Sequence, residues 1–308
     1  MTTTPSATTT PSMRGKICIV TGSNTGIGKE TARGLLRMGA TVILACRDLA
    51  KAEATRAELA TTPGGGRVEV MGLDLADQGS IRGFAAAFRA KHARLDVLVN
   101  NAGVWPTSRG LTKDGFELTF GTNHVGTFAL TEALLPLLRA SAPARIVVLS
   151  STLHYRGTMR WDDLQLAQGW GATRAYNQSK LANVLFTKAL ARRLAGTGVT
   201  VNAVHPGVVA TELARGYPPL MVKLFHLFTI SPEKGARCSI YVASAPELAA
   251  VTGEYFEKSK AKTAAKEALK VDLQERLWEL TQAMLVPVAI KTDRAATGAS
   301  APSSVAAP

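Results

Sequence analysis

Between residues 16 and 256, short β-branched runs alternate with segments of helical periodicity, and this alternation leaves few folds open. Lys16–Thr21, Thr41–Ala45, Arg67–Leu73, Val97–Asn100, Arg145–Leu149, Thr200–Val204 and Gly253–Phe256 read as strands. Ile27–Met38, Leu49–Ala60, Ser80–His92, Phe116–Arg139, Thr173–Leu194 and Pro232–Ser244 read as helices. Apolar strands alternating with helices predict a parallel sheet covered on both faces. The expected fold is α/β: a doubly wound (Rossmann) seven-stranded parallel sheet with helices on both faces, in a single domain. Ligands of such a sheet lie at the carboxyl ends of the strands.

Composition sets the limits of that domain. Hydrophobic residues make up 46% of the 308, and the mean hydropathy is +0.08, enough for a substantial core. Met1 to Ser12 is Thr/Pro/Ser-rich and 291–308 is Ala/Ser/Pro-rich, so both are expected to be disordered tails around a domain spanning 13–290. The first tail has neither the charged start nor the apolar stretch of a secretory signal. No run reaches the ~18 apolar residues of a transmembrane helix. Cys18, Cys46 and Cys238 are odd in number and form no C-x-x-C pair, which argues against a disulfide framework or zinc site and for a reducing compartment. The expected location is cytoplasmic. The net charge of +13 reads as a generally basic surface, densest at Lys258, Lys260, Lys262, Lys266 and Lys270. Without an arginine-rich arm, a helix-turn-helix spacing or an aromatic ladder, no nucleic-acid partner is expected.

The first strand runs into Thr21, then Gly22-Ser23-Asn24-Thr25-Gly26-Ile27-Gly28 and a helix. Glycines there allow a tight turn and close approach of a ligand, and a helix N-terminus suits a diphosphate. The spacing is G-x-x-x-G-x-G, not the more familiar G-x-G-x-x-G. After the second strand, Cys46 stands where an acidic residue would take an adenosine 2′-hydroxyl, and Arg47 follows. A guanidinium suits a 2′-phosphate, so NADP(H) is preferred over NAD(H), although Asp48 could still reach a ribose. Asp74 is a candidate partner for an adenine amino group, with Leu75 beside it. Asn101-Ala102-Gly103 closes the fourth strand as a cofactor floor, Asn123 is a polar residue inside a predicted helix, and Ser150-Ser151 ends the fifth strand.

Tyr176 and Lys180 lie one helical turn apart on one face. An ammonium near a phenol favours the phenolate and lowers its pKa from about 10, making Tyr176 a usable acid or base.

Together these pieces resemble the short-chain dehydrogenase/reductase family: TGSNTGIG at Thr21–Gly28, NNAG at Asn100–Gly103, TNHVG at Thr122–Gly126, SS at Ser150–Ser151, YNQSK at Tyr176–Lys180 and HPG at His205–Gly207. TGSNTGIGKETA, ACRD, SKLANVLFTKAL and HPGVV look most like its retinol dehydrogenase-like branch, whose membrane-bound members commonly carry an N-terminal hydrophobic anchor. The resemblance implies a catalytic set of Asn123, Ser151, Tyr176 and Lys180. Tyr176 would exchange the proton, Lys180 would lower the tyrosine pKa and hold the nicotinamide ribose, Ser151 would hydrogen-bond the substrate oxygen, and Asn123 would hold a water linking Lys180 to solvent. Asn101 and Gly103 would support the cofactor, and Pro206, Gly207 and Thr211 would cover its nicotinamide end. A homodimer or homotetramer would form through Phe116–Arg139 and Thr173–Leu194.

The apolar stretch from Gly216 to Ile230 falls where this family places a substrate lid, which predicts a lipophilic carbonyl or alcohol bound by Tyr217, Met221 and Phe225, with Trp105 and Leu153 lining the same pocket. Core packing and weak membrane-surface contact are the other readings of that stretch. His124 and His205 have no metal spacing and read as structural or pocket-lining; no metal is expected. The Asn177-Gln178-Ser179 sequon lies inside the proposed catalytic helix, and Asp162-Asp163 reads as a solvated loop. The alternative to an enzyme is an inactive NADP(H)-binding regulator of the same fold.

Overall fold

A computed structural model of the chain describes residues 11–207 and 230–286. Among the described residues, eight strands form one sheet in the order β3-β2-β1-β4-β5-β6-β7-β8. They are β1 (Ile17–Thr21), β2 (Thr41–Cys46), β3 (Arg67–Gly72), β4 (Val97–Asn100), β5 (Ala144–Leu149), β6 (Val199–His205), β7 (Tyr255–Glu257) and β8 (Lys260–Lys262). The first seven run parallel, and β8 folds back antiparallel on β7. The sequence predicted seven strands. The eighth was missed because Lys-Ala-Lys is short, polar and exposed, with no apolar face to read.

Among the described residues, the longer helices are α1 (Gly26–Arg37), α2 (Leu49–Leu59), α3 (Gln78–Lys91), α4 (Gly126–Ala140), α5 (Ala172–Arg193), α6 (Pro232–Ser244) and α7 (Val271–Leu285). Successive strand residues point to opposite faces. Ile19, Ile43, Leu98, Ile146 and Val201 therefore meet Phe84, Phe88, Phe128, Leu134 and Phe186 on one side. Val20, Val42, Leu44, Val99 and Val147 meet Leu35, Leu36, Leu59 and Val242 on the other. The three cysteines are all free and buried in the second layer.

β1 and β4 are neighbours although two strands separate them in sequence, so the crossovers leave β1 in opposite directions and open a crevice at its carboxyl end. The predicted helix Phe116–Arg139 is interrupted there. A short turn, Leu118–Phe120, leads into a π-turn, Gly121–Val125, before α4 begins. Glycines make room for it: a Cβ on Gly126 would stand 2.2 Å from the Leu75 carbonyl oxygen, and one on Gly121 2.5 Å from Thr112. Helix α7 was not read from the sequence, although Leu277, Trp278 and Thr281 bury one of its faces.

Candidate active site

The glycine turn meets its predicted demands. Gly22 and Gly26 have φ of +62° and +56°, in the region that disfavours side chains. A Cβ on Gly28 would lie 2.4 Å from the Gly22 carbonyl oxygen and 2.5 Å from Asn101 Nδ2. Thr25 makes no side-chain cap, which leaves first-turn N–H groups of α1 for an anion. The loop is braced from below: Ser23 Oγ donates to Val20 O (2.7 Å) and Thr55 Oγ1 donates to Asn24 O (2.9 Å). Ile27 packs against the second core layer.

Asn101 ties β4 to this turn. Its Nδ2 donates to Thr21 O (2.7 Å) and Gly22 O (3.2 Å), while the N–H groups of Asn101 and Ala102 both donate to Thr21 Oγ1 at 2.9 Å. Gly103 lies against the inner site: its Cβ would be 3.3 Å from Asn123 Oδ1 and 3.5 Å from Lys180 Nζ. Arg47 is exposed at the end of β2. Asp48, the competing ribose ligand, is occupied as the N-cap of α2, accepting from Lys51 N at 3.0 Å. Asp74 Oδ1 accepts from Ala76 N (2.9 Å), which leaves its second oxygen for a ligand, and Leu75 is buried.

Tyr176 and Lys180 do share one face of α5, and both are sealed in, 7% and 4% exposed. Lys180 Nζ stands over the Tyr176 ring, 5.4 Å from its centroid, and donates to Leu149 O at 3.2 Å. Ser150 Oγ donates to Lys180 O (2.8 Å), locking the helix to the end of β5. Trp105 covers the phenol ring: the two are stacked, 4.4 Å apart and 14° from parallel. Burial pushes the Tyr176 hydroxyl above its ordinary value, and a hydrogen bond with Ser151 pulls it partly back. Burial also lowers the Lys180 ammonium to about 8. The expectation that Lys180 would hold the tyrosine pKa down is corrected here. Desolvation of the phenolate prevails, because the ammonium faces the ring and hydrogen-bonds a carbonyl.

Asn123 sits in the π-turn, which aims its amide across the site. Oδ1 accepts from Val104 N (2.7 Å), and Nδ2 donates to Val104 O and Ser179 Oγ, both at 3.0 Å. With both donor hydrogens engaged, only acceptor capacity is left to receive a water. Ser151 Oγ accepts from Leu153 N (3.2 Å), which brings Leu153 beside it. Pro206 and Gly207 follow β6. Thr211, Tyr217, Met221 and Phe225 lie outside the described residues.

The remaining histidines behave differently from one another. His124 is packed among Phe120, Phe128 and Phe186 with Nε2 bonded to Thr281 Oγ1 (2.9 Å), and burial holds it near 4. His154, which the sequence reading passed over, bonds the carbonyl of Ser151. No pattern in the sequence marked it, because its partners are backbone atoms. Asn177 and Ser179 are buried, so the sequon is inaccessible, and Asp163 accepts from two loop amides.

The family described as short chain dehydrogenase matches residues 16–219. The chain belongs to that family. Retinol dehydrogenase 14 of Homo sapiens is 44% identical over 292 residues (89% of this chain, 87% of that one). Retinol dehydrogenase 13 of Homo sapiens is 48% identical over 283 residues (89% and 85%), and retinol dehydrogenase 12 of Mus musculus 46% over 280 (90% and 89%). Among solved structures, an uncharacterized protein from Mycobacterium paratuberculosis superposes with a TM-score of 0.73 at 35% identity, covering 89% of this chain and 94% of that one. The RhlG/NADP active-site complex of Pseudomonas aeruginosa gives 0.66 at 30%, covering 80% and 95%.

As a short-chain dehydrogenase of the retinol dehydrogenase-like branch, the chain is an oxidoreductase acting on CH–OH or C=O groups of small molecules with a nicotinamide cofactor. The inactive-regulator alternative is thereby set aside. The cytoplasmic location expected from the sequence is also corrected: kinship with retinol dehydrogenases 11–14 places the chain in a branch with membrane-associated members. Among the described residues, no helix is long and apolar enough to cross a membrane.

Proposed function

We propose that this enzyme transfers hydride between NADP(H) and a lipophilic aldehyde, ketone or retinoid-like alcohol, with Tyr176 as its proton donor and acceptor. One observation carries the reading: Tyr176 and the Lys180 ammonium over its ring are sealed together on one face of α5, at the carboxyl end of the sheet.

The residues present fit the cofactor. Gly22 and Gly26 take the positive φ, and Gly28 the close contact with the Gly22 carbonyl, that build a tight turn beside uncapped N–H groups suited to a diphosphate. Lys180 has donors to offer to ribose hydroxyls beyond its bond to Leu149. When bound, the dinucleotide supplies or accepts the hydride. Tyr176, kept protonated by burial, gives its proton to the substrate oxygen during reduction and reclaims it during oxidation. Ser151 donates to the same oxygen as charge develops there. Asn123 fixes the Val104–Trp105 loop against α5, so that Trp105 holds the phenol ring in place. The retinol dehydrogenase relatives support a lipophilic substrate. Pairing of two copies through α4 and α5, which the family resemblance implies, belongs to the same reading.

Arg47 is the proposed 2′-phosphate ligand, favoured by the engagement of Asp48 in capping α2. A charge-assisted bond of about 1.5–3 kcal/mol predicts that Arg47→Ser raises the KM for NADPH about 10–100-fold while leaving NADH kinetics within about threefold. An equal or better kcat/KM with NADH in the parent enzyme would overturn the preference.

The Lys180 value sets a pH limit. Its native pKa is lowered to about 8, so the ammonium predominates below that pH and is lost above it. Because kcat/KM for NADPH reports the free enzyme, it should fall about tenfold per pH unit above 8. A flat profile through that range would mean that the charge on Lys180 is not needed.

A further inference from the structure

We propose that His154 is a positioning residue, tying Ser151 to the segment that follows β8. The inference rests on the role proposed for Ser151 and concerns what holds that serine in place.

Ser151 leaves β5 and opens the short 3-10 turn Thr152–Arg156. Its hydroxyl can meet a substrate oxygen reproducibly only if this turn is fixed, since loops are the least constrained parts of a fold. The Ser151 carbonyl is held twice by one residue, by His154 N (3.0 Å) and by His154 Nδ1 (2.6 Å). On the other side of the ring, His154 Nε2 accepts from Ala265 N at 3.1 Å. An amide N–H can only donate, so Nε2 carries the lone pair and Nδ1 carries the hydrogen. The neutral Nδ1–H tautomer satisfies both bonds at once.

The ring is fully buried and held between two tyrosines, 4.0 Å from Tyr155 and 4.5 Å from Tyr255. Tyr155 adds a second tether, its hydroxyl donating to Thr263 O at 2.7 Å. The turn that carries Ser151 is thus fastened at two points to the stretch 263–265, about 110 residues onward, and Tyr255 of β7 backs the ring.

The side chains that can replace His154 separate its two bonds. Asparagine places an N–H near Nδ1 and keeps the bond to Ser151. Glutamine places an acceptor near Nε2 and keeps the bond to Ala265, and phenylalanine keeps neither. The experiment measures kcat and KM for NADPH-driven reduction of retinaldehyde, with NADPH affinity and thermal midpoint read on every variant. Each of the three substitutions breaks the tie at one end or both, so each should lower kcat about tenfold or more with the KM for NADPH within about threefold.

The double variant Ser151→Ala/His154→Phe decides whether the effect passes through Ser151. It should be no slower than Ser151→Ala alone, because residues acting as one unit are not additive. Equal losses in both backgrounds, or parent-level kcat in either the Asn or the Gln variant, would overturn the proposal. If His154→Phe does not fold, the Asn and Gln pair carries the same test. Parent-level turnover by Ser151→Ala would instead sink the proposed role of Ser151 itself, so the two failures are told apart.

Discussion

Replacing Tyr176 with phenylalanine is expected to lower kcat about 10²–10⁴-fold, the usual share of a positioned acid–base group. The protein should stay folded. Phenylalanine keeps the ring that stacks on Trp105 at 4.4 Å and lies under Lys180. NADPH affinity, read by fluorescence titration, should change less than about threefold, because Lys180 and the glycine turn remain intact. The expected signature is therefore a catalytic loss with little binding loss. A variant turning over within about tenfold of the parent would remove Tyr176 from the chemistry.

The second large effect belongs to Gly28. A valine there puts its Cβ about where the Gly22 carbonyl oxygen and Asn101 Nδ2 already are, 2.4 and 2.5 Å away. Neither neighbour can yield cheaply. The first is backbone in a turn with φ of +62°, and the second is the amide that joins β4 to that turn. Gly28→Val should lower NADPH affinity about 100-fold or more, with a stability loss of about 1–3 kcal/mol typical of overpacking. Calorimetric titration with NADPH and a thermal melt separate the two effects. Parent-like affinity would show that the turn does not hold the diphosphate.

What the sequence revealed and what it concealed divide along physical lines. Most of the parallel strands were legible as short β-branched runs, β3 by the alternation of Val68 and Val70 with Arg67 and Glu69, and the glycine turn was legible because Gly22, Gly26 and Gly28 each answer a demand no other residue meets. The pairing of Tyr176 with Lys180 followed from helical spacing alone. β8 left no trace, being three exposed residues whose pairing is backbone to backbone. The π-turn at Gly121–Val125 was hidden inside a stretch that reads as one helix, Phe116–Arg139, because the close fit of Gly126 against Leu75 next to it is a contact with a distant loop. The acidity of Tyr176 was misjudged for a related reason. Spacing shows which charge is near, whereas burial, set by Trp105 and the surrounding core, determines what that charge is worth. His154 escaped notice because its partners are a carbonyl and an amide.

The central claim is that a buried tyrosine next to a lysine moves the proton that accompanies hydride transfer to a lipophilic carbonyl. It is tested most directly by following NADPH oxidation with aldehydes of increasing chain length, retinaldehyde included, in the parent protein and in Tyr176→Phe. The account predicts that kcat/KM rises with apolar length in the parent and that turnover collapses in the variant. Stoichiometric NADPH binding without oxidation across that whole series would contradict it.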